Sequence, residues 1–99
     1  MASKTLRSAT PRLYFFHQPG CEGCEKQRPA VEAFATAHPD VEVIIWDLTQ
    51  RVWDLPVKQP DGTPAFLCTD IQGARTLTAW VLELEMLTDW VYRRKGAVK

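Results

Sequence analysis

Apolar and polar positions fall into blocks punctuated by Pro and Gly, which divide the chain into about six short elements. Residues 12 to 18, RLYFFHQ, form a continuous apolar and aromatic run ending at Pro19-Gly20, the pattern of a buried central strand. From Glu22 to Ala37 the residues favour helix. Ala30, Val31, Phe34 and Ala37 recur there at three- and four-residue spacing as one apolar face, and His38-Pro39 stops the element. VEVIIWDL, 41 to 48, is rich in β-branched residues and predicts a second strand, parallel to the first because a helix lies between them. TQRVWDLPVKQPDG leaves room for two helical turns before Pro56, then a loop with Pro60 and the turn pair Asp61-Gly62. AFLCTD (65 to 70), IQG and ARTLTAW (74 to 80) predict an antiparallel hairpin. A last helix over about 81 to 95 would set Leu84, Leu87 and Val91 on one side, with Arg93, Arg94 and Lys95 at its carbonyl end. The expected order is β-α-β-(short α)-β-β-α, an α/β fold.

Composition narrows the picture. Ninety-nine residues, 45% of them hydrophobic, suffice for one compact domain without disulfide staples or a structural metal. That domain is expected over 12–95, with a flexible segment at 1–11 and a short tail at 96–99. Twelve basic residues against twelve acidic ones give a formal charge of zero, which argues against nucleic acid or an anionic membrane as partner. No apolar run matches a secretory signal or a membrane span, and three cysteines cannot all pair within the chain. The expectation is a soluble protein of a reducing compartment, the cytoplasm.

The chemistry concentrates in HQPGCEGCEKQRP, where Cys21 and Cys24 stand two residues apart at a strand-to-helix junction. A redox dithiol, two metal ligands and a chance pair are all open on spacing alone. A dithiol that cycles needs one accessible thiolate and a second sulfur able to attack the mixed disulfide. Cys21 would lie at a helix N-terminus, where exposed N–H groups favour the thiolate, and Cys24 one turn in, better shielded. Glu22 and Glu25 oppose that thiolate, while Lys26, Arg28 and His17 favour it. A zinc site would draw on Cys21, Cys24, Cys68 and His17, but a second closely spaced ligand pair is missing. Cys68, among apolar neighbours, reads as a small buried hydrophobe.

With Cys-x-x-Cys after the first buried strand, Pro29 inside the following helix and Thr63-Pro64 in GTPAF some forty residues on, the chain resembles the thioredoxin superfamily over roughly 12 to 95. The resemblance implies a central mixed four-stranded sheet flanked by helices, and a cis Pro64 facing the dithiol. It also implies that the backbone of Thr63 pairs with the substrate chain, so that Pro19, Gly20, Thr63 and Pro64 form the docking surface. Many thioredoxins bury an acid six residues before the first cysteine, where this chain has Phe15; Asp47 is a candidate substitute. Pro19-Gly20 and Glu22-Gly23 stand where thioredoxins tend to have Trp before the first cysteine and Gly-Pro between the pair, so Glu22, Gly23 and His17 would tune the potential. The glycines and acid with which glutaredoxins hold glutathione have no match in IQGARTL. The implied function is a monomeric thiol-disulfide oxidoreductase: Cys21 attacks a protein disulfide and Cys24 resolves the mixed disulfide. It would need no bound cofactor and would be recycled by a disulfide reductase or a small thiol. The rival readings are a redox-inactive adaptor that binds protein through the same surface, and a Cys/His metal-binding module.

Overall fold

A computed structural model describes residues 10–55, 57–78 and 81–93. Its elements are β1 (Arg12–His17), α1 (Glu22–Ala37), β2 (Glu42–Asp47), β3 (Ala65–Asp70), β4 (Gly73–Thr78) and α2 (Leu84–Val91). The strands lie in the order β2-β1-β3-β4, with β1 parallel to β2 and antiparallel to β3, and β3 antiparallel to β4. The expected mixed four-stranded sheet is therefore present. The expected segments at 1–11 and 96–99 fall outside the described residues, apart from Thr10 and Pro11.

The unbroken apolar run of β1 is explained by cover on both faces. Leu13 and Phe15 point to one side, where they join Val31 and Phe34 of α1, Leu87, Trp90 and Val91 of α2, and Phe66 and Cys68 of β3. Tyr14 and Phe16 point to the other, against Trp46, Ala65 and Leu67. In α1 the buried stripe is Gln27, Val31 and Phe34, whereas Ala30 is only half-buried and Ala37 exposed. The expected apolar face is thus rotated toward a polar residue. Gln27 is 0% exposed, and its carboxamide accepts from the Leu82 N–H at 2.7 Å and donates to the Leu82 carbonyl at 2.9 Å. Pro29 lies inside α1 and removes one backbone bond without ending the helix.

Two expectations about helices are corrected. The two turns before Pro56 do not form: the Asp47 carboxylate accepts from the Thr49 N–H at 2.8 Å and from its hydroxyl at 2.7 Å, a local turn that competes with helix. Trp53 then folds back over Phe16 and Trp46, its indole N–H donating to the Val57 carbonyl at 2.8 Å. Among the described residues both helices consequently lie on one face of the sheet, and Leu48, Trp53, Leu55 and Val57 cover the other without a helix.

The last helix starts at Leu84 rather than 81, because the bonds to Gln27 hold Leu82 in a non-helical conformation. Leu84 is exposed, not packed with Leu87 and Val91. Arg93 closes the end with φ +56°, a left-handed residue past the helix, and its guanidinium reaches Asp70 at 3.3 Å. Ala79, Trp80, Arg94 and Lys95, assigned to the final strand and helix by pattern, lie outside the described residues.

Candidate active site at the Cys21–Cys24 pair

Antiparallel pairing of β1 with β3 brings the end of one strand beside the start of the other, with Phe16 opposite Ala65. The chain leaves β1 through Gln18, Pro19 and Gly20, and the Cys21 N–H closes this turn on the Gln18 carbonyl at 3.3 Å. Gly20 has φ +78°, a conformation that strains any residue with a Cβ. Cys21 then caps α1, its sulfur accepting from the Cys24 N–H at 3.0 Å.

Cys21 and Cys24 form a disulfide, with Cα atoms 5.2 Å apart. Cys21 is half-buried and Cys24 is buried in the core shared by α1 and the sheet. The second donor to Cys21 Sγ comes from the segment just before β3, since the Thr63 hydroxyl donates to it at 3.2 Å. Gln18 Nε2 in turn donates to Thr63 Oγ1 at 3.1 Å. The Thr63–Pro64 peptide is cis and Pro64 is buried, while Pro19 and Gly20 are exposed. Glu22 is exposed and ion-paired to Lys26 at 3.3 Å, and Gly23 is buried in the first turn.

A cleft of about 260 Å³ opens beside Cys24, lined by His17, Gln18, Pro19, Cys24, Glu25, Arg28 and Asp47. Phe15 stacks on Phe66 in the dry core, so nothing ionisable replaces the missing acid at that position. Asp47 does reach the cleft. Its carboxyl is held below the ordinary range by the Thr49 hydroxyl and N–H bonds, against a smaller desolvation effect, with the charge of His17 adding to the lowering. Both Asp47 and His17 line the cleft beside Cys24.

The set Cys21, Cys24, Cys68 and His17 is not gathered: among the described residues no group of three or more His, Cys, Asp or Glu could hold a metal ion. Cys68 is fully buried in β3, and burial pushes its thiol up despite the Arg75 guanidinium 3.3 Å from the sulfur. Arg75 also donates to the Trp90 carbonyl at 2.6 Å and the Val91 carbonyl at 3.1 Å, satisfying the open end of α2. This cluster is structural. Among the described residues no helix is long and apolar enough to cross a membrane.

No family model matches the chain, and no curated protein does. Solved structures match over nearly the whole length. MTB DsbF, in its mixed oxidised and reduced forms, is 20% identical with a TM-score of 0.67 over 93% of this chain and 84% of that one. Fasciola hepatica thioredoxin is 20% identical with a TM-score of 0.63 over 94% and 86%. A secreted Mycobacterium tuberculosis disulfide oxidoreductase homologous to E. coli DsbE is 16% identical with a TM-score of 0.70 over 89% and 84%. The chain has the thioredoxin fold. In this thioredoxin fold Cys21, Cys24 and Thr63 meet directly, while His17 and Pro19 share the cleft with Cys24. Sequence reasoning passed over Gln18 and Gln27. Gln27 had left a signal, because a polar residue four before Val31 falls on the apolar stripe of the helix. Gln18 had left none, since its partner lies forty-five residues away.

Proposed function

We propose that the protein is a small thiol-disulfide oxidoreductase that reduces protein disulfides. The observation that carries this reading is the environment of Cys21 Sγ. It sits at the N-terminus of α1, bonded to Cys24 and receiving hydrogen bonds from the Cys24 N–H and the Thr63 hydroxyl. In the reduced protein both donors and the helix N-terminus would favour a thiolate on Cys21.

The thiolate attacks one sulfur of a substrate disulfide. A Cys21–substrate bond forms, the substrate disulfide breaks, and the leaving sulfur departs as a thiolate that takes a proton from water. Cys24 loses its proton into the cleft, where His17 accepts it, and the Cys24 thiolate attacks Cys21 Sγ. The substrate leaves with its second sulfur reduced, and the Cys21–Cys24 disulfide is restored. Two electrons pass from dithiol to substrate in the cycle. A substrate chain laid along Thr63 would pair with its backbone, and the exposed Pro19-Gly20 turn would border it. The reading sets the protein in the cytoplasm as a monomer, recycled by a disulfide reductase or a small thiol. The unpaired, buried Cys68 is consistent with a reducing compartment.

Insulin reduction with dithiothreitol as electron donor tests the activity. Wild type should accelerate it, Cys21→Ser should abolish the acceleration, and Cys24→Ser should accumulate a mixed disulfide detectable by mass. Equal rates for wild type and Cys21→Ser would end this reading. Equilibration in thiol buffers gives the direction: a couple near about −270 mV marks a reductant, and one at about −120 to −180 mV marks disulfide formation or isomerisation.

A further inference from the structure

Gln18 touches neither sulfur, yet it is bonded twice into the site. Its backbone carbonyl receives the Cys21 N–H at 3.3 Å, and its side-chain amide donates to Thr63 Oγ1 at 3.1 Å. That same oxygen is the donor to Cys21 Sγ at 3.2 Å. A threonine hydroxyl has one proton and two acceptor lone pairs, and its rotor is free to turn toward water. An amide N–H resting on a lone pair leaves the proton for the sulfur.

We propose that Gln18 is a positioning residue for the nucleophile: its amide orients the Thr63 hydroxyl so that the O–H proton is presented to Cys21 Sγ. When the pair is reduced, that bond becomes a charge-assisted one to a thiolate, which is acceptor-only. The chain Gln18 to Thr63 to Cys21 crosses from the end of β1 to the segment before β3 and back, so it exists only when the two are paired. The charged groups around the dithiol are Glu22, Glu25, Lys26 and Arg28 on α1, His17 at the end of β1 and Asp47 at the end of β2; the Gly62-Thr63-Pro64 stretch adds none. Gln18 lines the same cleft as His17, Glu25, Arg28 and Asp47, so the double variant, rather than Gln18→Leu alone, separates the hydroxyl from a change in that cleft. If the carboxamide were turned so that its oxygen took the hydroxyl proton, Gln18 would compete with the sulfur and its removal would have the opposite sign.

The test is the rate of iodoacetamide alkylation of Cys21 as a function of pH in the fully reduced protein, resolved from the other cysteines by peptide mass spectrometry. Thr63→Val removes the hydroxyl at nearly constant shape and should lower the rate at pH 7 by about tenfold, moving the midpoint to higher pH. Gln18→Leu, at an exposed position, should lower it by about threefold in the same direction, as expected for a lost orienting bond. The double variant should be no slower than Thr63→Val alone, because Gln18 acts through that hydroxyl. Thr63→Ser, which keeps the hydroxyl, should stay close to wild type. A midpoint that Gln18→Leu leaves unchanged or lowers, or losses that simply multiply in the double variant, would overturn the proposal. It rests on the oxidoreductase reading, and the two fail separately. Wild type inactive on insulin removes the function while the alkylation profile still reads the hydrogen bonds; unchanged profiles beside an active wild type remove only the part assigned to Gln18.

Discussion

Replacing Gln27 with Leu should cost more than any other single change of similar volume on α1. The carboxamide is 0% exposed and holds both backbone groups of Leu82, itself buried, at 2.7 and 2.9 Å. Leucine fills most of the space and cannot hydrogen-bond, so the Leu82 N–H and carbonyl would both be left in a dry environment. A buried polar group deprived of its partner costs about 1–3 kcal/mol. Two such groups, offset in part by the easier burial of an apolar side chain, give a loss of about 2–4 kcal/mol. With a urea dependence of roughly 1–2 kcal/mol per molar for a chain of this size, the midpoint of unfolding should fall by about 1–4 M. Gln27→Glu should be at least as damaging, since it keeps an acceptor for Leu82, loses the donor and buries a charge. The assay is urea denaturation of the oxidised protein followed by far-UV circular dichroism. A loss below about 0.5 kcal/mol for Gln27→Leu would refute the reasoning, because two orphaned backbone groups are incompatible with so small an effect.

Three further outcomes are expected. In the native reduced protein one equivalent of iodoacetamide should enter at Cys21, while Cys68, fully buried and with its thiol pushed up, should react only after unfolding; native labelling of Cys68, read by peptide mass, would contradict its placement. Burial alone would push the Asp70 carboxyl up, but the Arg93 hydrogen bond, the Gln72 N–H and the charges of Arg93 and Arg75 hold it below its ordinary value. The folded state thus favours the ionised form, and its contribution is present above the ordinary carboxylate range and lost as pH falls below it. Arg93→Ala should flatten that part of the stability profile between about pH 5 and 2, measured by thermal melts. His17→Asn should leave the first attack on substrate nearly unchanged and slow resolution by Cys24 by about tenfold or more, seen as a longer-lived mixed disulfide in rapid-quench experiments; equal slowing of both steps would contradict a role as the base for Cys24.

The elements that the sequence made legible are those with a strong local pattern. The unbroken apolar run of β1, the helix from Glu22 to Ala37 and the Cys-x-x-Cys between them were found with nearly the observed bounds, because burial, capping and spacing are all local there. The strand at Ala65–Asp70 was equally plain, being buried from its first residue to Thr69. The segment after β2 was misread, since its helical propensity lost to the Asp47–Thr49 turn and to the docking of Trp53 on the sheet. The start of α2 was misread for a related reason: what fixes Leu82 is a glutamine fifty-five residues earlier. The sulfur pair and Thr63 were visible by motif, but the hydroxyl contact to Cys21 and the cleft joining Cys24 to His17 and Asp47 depend on how β1, β2 and β3 align, which spacing alone does not carry.

The pairing of β1 with β3 also sets the moment during synthesis at which the surroundings of Cys21 are complete. Cys21 and Cys24 are made before Thr63, on a 16-residue helix that carries Pro29 inside it and takes most of its stability from packing on the sheet. Thr63 follows some forty residues later, and the hydroxyl reaches the sulfur only after β3 has closed on β1, a long-range step that is slow compared with helix formation. A nascent chain ending before β3 therefore carries both thiols with part of their core, Phe66, Leu87, Trp90 and Val91 among it, still missing. On the proposed function, such a chain would be closer to a client of disulfide exchange than to an agent of it, and the change from one to the other would coincide with completion of the central strand pair.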